Sequence, residues 1–263
     1  MADKLCRNAR LNNPLPPDTD FSEEESKELQ TLLNALAILP SPELDCICLA
    51  FSAKYLTRLD SSLRPLKRET QRKAISTYIQ ILSLLPDPTD NPYLGKFLQS
   101  PNAAGLPNLV ASNFVQGIDW LRPSGPGHIC TLLIHFLFWC DTSFGDDNKA
   151  SIDKATRDAL AARVADILAQ PGIDRLPESQ LIKLERLKGI LISIEYMPGG
   201  YYLQSTNDFL KGQIRGQEEC LACMDEDPGM LCSQCKAVRF CGKECQLKAW
   251  RSGHKNRCWV MVE

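Results

Sequence analysis

The chain has 263 residues, of which 44% are hydrophobic and 24% are charged. This balance is typical of a folded globular protein and excludes a disordered chain, which has too little apolar surface to bury. The formal net charge of −2 gives no sign of an obligatory polyanionic partner such as nucleic acid.

The N-terminal segment is polar and carries the run PLPP at 14–17, so we expect residues 1–20 to form a flexible tail. No continuous apolar run follows its charges, and it does not resemble a secretory signal. The most apolar stretch, at 130–140, is about half of the roughly 20 residues that a membrane span needs. We therefore expect an intracellular protein without a membrane span, in the nucleus or the cytoplasm, where thiols stay reduced.

Helix signals begin directly after the predicted tail. Ser22 and Glu25 have the spacing of a capping box, which predicts that a helix starts there. Ser41 and Pro42 have the residue types that favour the start of a second helix. Apolar residues at helical spacing predict further helices near 75–85, 107–121, 127–141, 152–169 and 178–196.

The first 200 residues lack alternating strand patterns, so residues 21–200 are predicted to form an all-α domain. The segment AILPSP at 37–42 resembles SLLPDP at 83–88, and each closes a predicted helix and introduces a turn. Their offset of 46 residues falls in the range of HEAT or armadillo repeats. Two architectures stay open for the body, a helical bundle and a HEAT- or armadillo-like solenoid.

The composition changes after this domain. Residues 201–219 are rich in glycine and polar side chains, and we predict a linker or a short helix there. The chain has twelve cysteines, and seven of them lie between 220 and 258. In a reducing compartment, such a dense cluster indicates metal binding rather than a disulfide scaffold.

Four pairs of soft ligands follow one another in this C-terminal segment. Two are C-x2-C pairs, and the other two place their members four residues apart, on one face of a helix. Eight ligands are the number that two closed tetrahedral zinc sites need, and such sites are structural because no position stays open for a substrate. The ligands are Cys220, Cys223, Cys232, Cys235, Cys241, Cys245, His254 and Cys258.

Spacing alone does not decide whether neighbouring or alternate pairs share a zinc ion. Basic residues are interspersed among the ligands, and we expect them first to offset the negative charge of the thiolates, and only secondarily to form a surface for nucleic acid. They are Lys236, Arg239, Lys243, Lys248, Arg251, Lys255 and Arg257.

The ligand order in residues 220–258 resembles the MYND-type zinc finger. The resemblance extends to Phe240 before the fifth cysteine, Gln246 after the sixth, and Trp250. It implies two structural zinc ions in an interleaved arrangement. One ion would be held by Cys220, Cys223, Cys241 and Cys245, and the other by Cys232, Cys235, His254 and Cys258.

The resemblance also implies protein partners, because MYND modules dock short proline-containing peptides, and it suggests a role in transcriptional regulation or signalling. The positions that look like the peptide groove are Ser233, Gln246 and Trp250. The alternative is that Trp250 only fills the small core of the finger and that Gln246 only caps a carbonyl.

The sequence favours a non-enzymatic interaction protein over two other functions. A SET/MYND-type lysine methyltransferase needs catalytic sequence after the finger, including an Asn-His pair, and only five residues follow Cys258. A nucleic-acid-binding zinc protein is not favoured, since the finger lacks the ββα spacing of sequence readers. A catalytic pair of His135 with Cys130 or Cys140 is also not favoured, because a histidine on so apolar a helix is typical of a core.

Overall fold

The computed structural model describes residues 1–119, 125–214 and 216–262 of the chain. These residues are mostly helical, which confirms the prediction of an all-α body, and the two short strands lie in the C-terminal finger. The longer helices of the body are α2 (Glu23–Ala37), α3 (Ser41–Leu63), α4 (Arg72–Leu82), α6 (Leu106–Gln116), α7 (Gly127–Trp139), α8 (Lys154–Leu168), α9 (Glu178–Tyr196) and α10 (Tyr201–Lys211). Two shorter helices are α1 (Ala2–Asn8) and α5 (Pro92–Leu98), and single 3₁₀ turns lie at Pro101–Ala103, Thr142–Phe144 and Ile173–Arg175.

The predicted capping box is present at the start of α2. The Ser22 hydroxyl accepts a hydrogen bond from the Glu25 N–H at 3.2 Å, and the Glu25 carboxylate accepts one from the Ser22 N–H at 2.8 Å. The backbone hydrogen bond from Ser22 lowers the pKa of Glu25, although burial partly opposes it. Two of the orphan N–H groups at the helix start are satisfied in this way.

The prediction that residues 1–20 form a flexible tail was wrong. Their first part forms α1, whose Leu5 and Cys6 are buried against α2 and α3. The Tyr78 hydroxyl in α4 donates to the Ala9 carbonyl at 2.9 Å. The few apolar side chains in this polar segment cover an apolar face of the body, and that long-range contact is invisible in the local composition.

The body is organised as a stack of helices. Between α4 and α9, each helix packs against the helix that comes two later in the chain. The pairs are α4 with α6, α5 with α7, α6 with α8 and α7 with α9. This pattern is typical of stacked helical hairpins, in which equivalent helices of successive pairs lie side by side. The most apolar helix, α7, is buried almost throughout because α4, α5, α6, α9 and α10 surround it.

Within the described residues, no helix combines the length and the hydrophobicity that a membrane span requires. Residues 120 and 121, the end of one predicted helix, lie outside the described residues, as does residue 215 of the predicted linker. The rest of that linker contains α10, which the buried Leu203 anchors to the body and whose Asn207 amide donates to the Phe138 carbonyl at 2.6 Å.

A buried arginine joins α8 to its surroundings. The Arg157 side chain is 1% exposed, and its guanidinium donates to Asp147 at 2.6 and 3.1 Å and to Glu195 at 2.9 and 3.1 Å. It also donates to the Ile152 carbonyl at 2.7 Å. All three nitrogens of the guanidinium are therefore satisfied, so that the loop before α8 is fixed to α8 and α9.

Candidate metal centre

The finger begins with two similar turns. Cys220 opens the first, where the Met224 N–H donates to the Cys220 carbonyl at 2.9 Å, and Cys232 opens the second, where the Lys236 N–H donates to the Cys232 carbonyl at 2.9 Å. Met224 and Lys236 both adopt positive φ angles, of 62° and 50°. Each C-x2-C pair is thus held on a tight turn that directs two sulfurs to the same side.

A short hairpin and a helix bring the remaining ligands to these turns. Strands β1 (Met230–Leu231) and β2 (Arg239–Phe240) pair antiparallel, which places Cys241 beside the first turn. Helix α11 (Lys243–Ala249) carries Cys245 and continues through a wide turn, Trp250–His254, into α12 (Lys255–Arg257). Gly253 in that turn has a φ of 126°, a conformation that favours glycine.

The structure brings the eight predicted ligands together in two groups of four. Within each group, the ligand atoms lie within 4.8 Å of one another. In the first cluster, the Cys223 sulfur lies 3.4 Å from that of Cys241 and 3.7 Å from that of Cys245. Four sulfurs about 2.3 Å from one zinc ion form a tetrahedron with edges of about 3.8 Å. The first cluster, Cys220, Cys223, Cys241 and Cys245, therefore has the size that a zinc ion requires.

The second cluster consists of Cys232, Cys235, His254 and Cys258. The Cys232 sulfur lies 3.7 Å from that of Cys258 and 3.5 Å from Nε2 of His254. Nε2 also lies 3.9 Å from the Cys235 sulfur, so this nitrogen faces the sulfurs. Alternate pairs thus share a cluster, which is the interleaved arrangement that the resemblance implies.

The two clusters differ in their exposure. All four ligands of the second cluster are buried, whereas Cys223 and Cys241 of the first are exposed and Cys245 is half-buried. Phe240, which is fully buried, and Trp250 both place their rings edge-on to the His254 ring, at 5.7 and 6.0 Å. The second cluster is therefore the one built into the core of the finger.

The electrostatics of the clusters suit a dication. Burial raises the pKa of the Cys220 thiol, but backbone N–H groups of its turn lower it more, to about 6. The pKa of Cys241 is raised, chiefly by its contact with the Cys223 sulfur, because several thiolates cannot crowd together without a cation. Burial lowers the pKa of His254 and favours the neutral imidazole that binds metal.

The finger is docked on the helical body through Tyr93 of α5. The Trp259 N–H donates to the Tyr93 hydroxyl at 2.7 Å, and that hydroxyl lies 2.9 Å from the Arg257 carbonyl, to which it donates. The Arg257 guanidinium donates to the Asp90 carbonyl at 2.8 Å. Tyr93 is 2% exposed and packs with Leu49 of α3 in the same apolar cluster as the zinc ligands.

The chain after the last ligand continues this contact. The Val262 N–H donates to the Ala53 carbonyl of α3 at 2.9 Å, and the Lys54 ammonium lies 5.3 Å from the centre of the Trp259 ring. Cys258 is thus both a ligand of the second cluster and the start of a segment that is bound to the body. Neither α5 nor Tyr93 was predicted from the sequence, although Asn91 followed by Pro92 is a recognisable helix start.

We expect Tyr93→Phe to lower the free energy of unfolding of the zinc-loaded chain by about 1–3 kcal/mol, because the Trp259 N–H and the Arg257 carbonyl lose their partner. Denaturant unfolding followed by circular dichroism measures the change. Tyr55→Phe is the matched control, since its hydroxyl bonds Asp3 at an exposed site. Equal effects of the two substitutions would contradict the proposed importance of this contact.

Of the predicted groove residues, Ser233 and Trp250 lie at the second cluster, and Gln246 directly follows Cys245 of the first cluster. Ser233 is exposed in the second turn, between Cys232 and Cys235. Gln246 and Trp250 are one helical turn apart, and Trp250 is 39% exposed, so it does not merely fill the core of the finger. Among the described residues, the Gln246 side chain makes no hydrogen bond, and it therefore does not cap a carbonyl there.

The surroundings of Cys130, Cys140 and His135 do not favour a catalytic pair among these residues. Cys130 and Cys140 are buried, and burial raises the pKa of both thiols, to about 12 for Cys130, which opposes a nucleophilic role. Nε2 of His135 lies 3.1 Å from the Asp87 carboxylate. Burial raises the pKa of Asp87, but the hydrogen bonds from His135 and Thr89 lower it well below its usual range.

A closed two-site zinc finger, joined to an all-α body, is the class of structure that these observations define. Residues 219–258 match the family model of the MYND finger, a zinc-binding protein-interaction domain. The donor set and its dimensions fit two structural zinc ions. No solved structure showed a significant match to the chain.

Curated relatives are similar to this chain in the finger region. Ubiquitin carboxyl-terminal hydrolase 19 of Arabidopsis thaliana is 37% identical over 60 residues, which are 23% of this chain and 8% of that protein. Ubiquitin carboxyl-terminal hydrolase 17 of Arabidopsis thaliana is 59% identical over 54 residues, 20% of this chain and 7% of that protein. Ubiquitin C-terminal hydrolase 15 of Oryza sativa subsp. japonica is 46% identical over 41 residues, 15% of this chain and 4% of that protein.

Proposed function

We propose that this chain is a non-enzymatic interaction protein whose MYND finger recruits partner proteins by binding short proline-containing peptides. Each of the two Cys/His clusters holds one structural zinc ion. We further propose that the protein works in the nucleus or the cytoplasm, in transcriptional regulation or signalling. The observation that carries this proposal is an exposed tryptophan, Trp250, on a helix that both zinc clusters hold in place.

The surroundings of Trp250 support a peptide groove. Gln246 lies one turn before it on the same helix face and has a free amide that is able to bond a peptide backbone. Ser233 lies in the turn that supplies two ligands to the second cluster, and the His254 ring of that cluster lies 6.0 Å from the indole. Proline-containing segments bind aromatic surfaces well because their extended conformation is already ordered before binding.

The chemistry of the sites supports a structural role for zinc. Each cluster supplies four protein ligands, so a bound zinc ion has no open position for water or a substrate. The similarity to ubiquitin hydrolases lies in the finger, and we do not propose their activity for this chain. In this proposal the helical body serves as the platform on which the finger is presented.

We expect Trp250→Ala to reduce the affinity for a proline-containing peptide by about tenfold or more, because exposed aromatic anchors supply most of the energy of such contacts. The probe is a fluorescent ten-residue peptide with a central Leu-Pro pair and neutral glutamine flanks, and fluorescence polarisation measures its binding to the zinc-loaded chain. Phe209→Ala on α10 is the matched control, since Phe209 is 67% exposed on the body.

Zinc content is measured for both variants, so that a loss of metal is not mistaken for a loss of the groove. Equal affinities of Trp250→Ala and the unchanged chain would overturn the proposal of a groove at Trp250. Saturable binding that depends on Trp250 and not on Phe209 supports it.

A further inference from the structure

The basic residues of the finger have no ion-pair partners in the part of the chain that the structure describes. Every ion pair within 4.0 Å that the described residues form lies in the helical body, between residues 3 and 195. The finger presents exposed cations without such a partner at Lys236, Arg239, Lys243, Lys248, Arg251 and Lys255.

Compensation of the thiolates does not account for the position of all these cations. Lys248 and Arg251 lie on the outer side of the α11 helix and its continuation, where Leu247 is 55% exposed. Ala249, on the side that faces the finger core, is 2% exposed. Lys248 and Arg251 together form a basic rim.

The basic rim borders an apolar surface. A shallow depression is lined by Leu247, the basic rim, Ser252 and a single acid, Glu244. Leu247 and Arg251 are one helical turn apart, and Trp250 adjoins them with 39% of its surface exposed. An exposed apolar centre with a charged border is typical of a surface that binds another protein.

We propose that this surface binds an acidic peptide segment of a partner protein, with an apolar residue on Leu247 and Trp250 and carboxylates on the basic rim. The proposal rests on the proposed function, since it extends the peptide groove from Gln246 and Trp250 to the adjoining face of the same helix. Charge complementarity identifies the occupant, because the rim cations have no acidic partner within the described residues. Arg251 is able to bond a carboxylate through two parallel N–H groups, and Lys248 adds a point charge.

The same observations favour a peptide over nucleic acid. Phosphate backbones are bound by many cations along a groove, and an apolar side chain such as Leu247 contributes nothing to that electrostatic binding. Glu244 lies inside the depression and repels a closely spaced row of phosphates. A peptide places one or two carboxylates at the rim and leaves Glu244 free.

The test compares two fluorescent peptides on the zinc-loaded full chain. Both carry a central Leu-Pro pair, and one has glutamates on its flanks where the other has glutamines. We expect the glutamate peptide to bind about tenfold more tightly at low ionic strength, with the difference shrinking as salt is added. We expect Lys248→Glu combined with Arg251→Glu to cut the affinity for the glutamate peptide by at least about tenfold, and to leave the glutamine peptide within about twofold.

The control is Lys27→Glu combined with Arg186→Glu, which makes the same change in net charge on exposed positions of the body. If the glutamine peptide binds through Trp250 but glutamates add nothing, the acidic-partner proposal is overturned and the proposed function stands. If neither peptide binds, both fail. Binding of a 20-base-pair duplex DNA in preference to the glutamate peptide, and lost on reversing the basic rim, overturns the choice of a peptide partner.

Discussion

Replacing Cys235 with serine is expected to remove one zinc ion and to release the finger from the helical body, whereas Cys223→Ser is expected to remove the other zinc ion only. The second cluster is buried, and its ligand Cys258 immediately precedes Trp259, whose N–H is bonded to Tyr93. Cys223 lies in the first cluster, where two of the four ligands are exposed. Loss of zinc from the second cluster is therefore expected to disturb the contact between the finger and the body, and loss of zinc from the first cluster is not.

The expected effect is large because the finger has a small core of its own. A structural zinc ion contributes on the order of 10 kcal/mol of apparent folding free energy in small zinc fingers. We expect the zinc content to fall from about two ions per chain to about one in both variants. Amide hydrogen exchange measures the difference between them: it is expected to rise in α5 and in the segment 259–262 for Cys235→Ser, and to stay unchanged there for Cys223→Ser.

A second measurement on the unchanged chain guards against variants that fail to fold. During slow removal of zinc with a chelator, alkylation detected by mass spectrometry is expected to label Cys223 and Cys241 before Cys232 and Cys235. Simultaneous labelling of all four thiols, or equal hydrogen exchange in the two variants, would contradict the assigned difference between the clusters.

Replacing Arg157 with methionine is expected to lower the free energy of unfolding by about 3–5 kcal/mol at neutral pH. Methionine fills much of the same volume, but Asp147 and Glu195 lose their cation in a partly buried site. The midpoint of urea unfolding measures the effect. Arg163→Met on the same helix is the matched control, because the described residues include no ion pair of Arg163 within 4.0 Å. A loss of under 1 kcal/mol for Arg157→Met would contradict this account.

The pH dependence provides an independent check. The hydrogen bonds from Arg157 hold the pKa of Asp147 below its ordinary value of 3.8. A carboxyl group whose pKa is lowered on folding contributes stability above its unfolded pKa, and that contribution is lost as the pH falls through the folded pKa. The difference in stability between the unchanged chain and Arg157→Met is therefore expected to be largest near neutral pH and to shrink below about pH 4.

Local patterns predicted much of the secondary structure because helix ends are decided by neighbouring residues. The capping box of Ser22 and Glu25 forms as predicted, and α9 begins and ends where its apolar spacing indicated. The start predicted for α3, with Ser41 as the cap and Pro42 as the first helical residue, differs by one residue, since Ser41 is the first helical residue and Pro40 precedes it as the cap. The short α5 was missed because a helix of seven residues after Asn91 carries little periodicity.

The metal chemistry of this protein was determined by the sequence itself. Eight soft ligands in four closely spaced pairs have few arrangements other than two closed zinc sites, because metal–ligand distances are short and the members of each pair are at most four residues apart. Pair spacing left open which pairs share an ion, and there the resemblance to the MYND finger supplied the interleaved arrangement that the two clusters show.

Only the tertiary structure decided how the parts meet. The burial of α1, the contact of Tyr93 with Trp259 and the grouping of Arg157 with Glu195 all join residues far apart in the chain. Such contacts depend on which surfaces the folded helices bring together, and no local pattern of residues records that. The exposure of Trp250 and of the basic rim follows from the same cause, because a side chain is free only where no other part of the chain covers it.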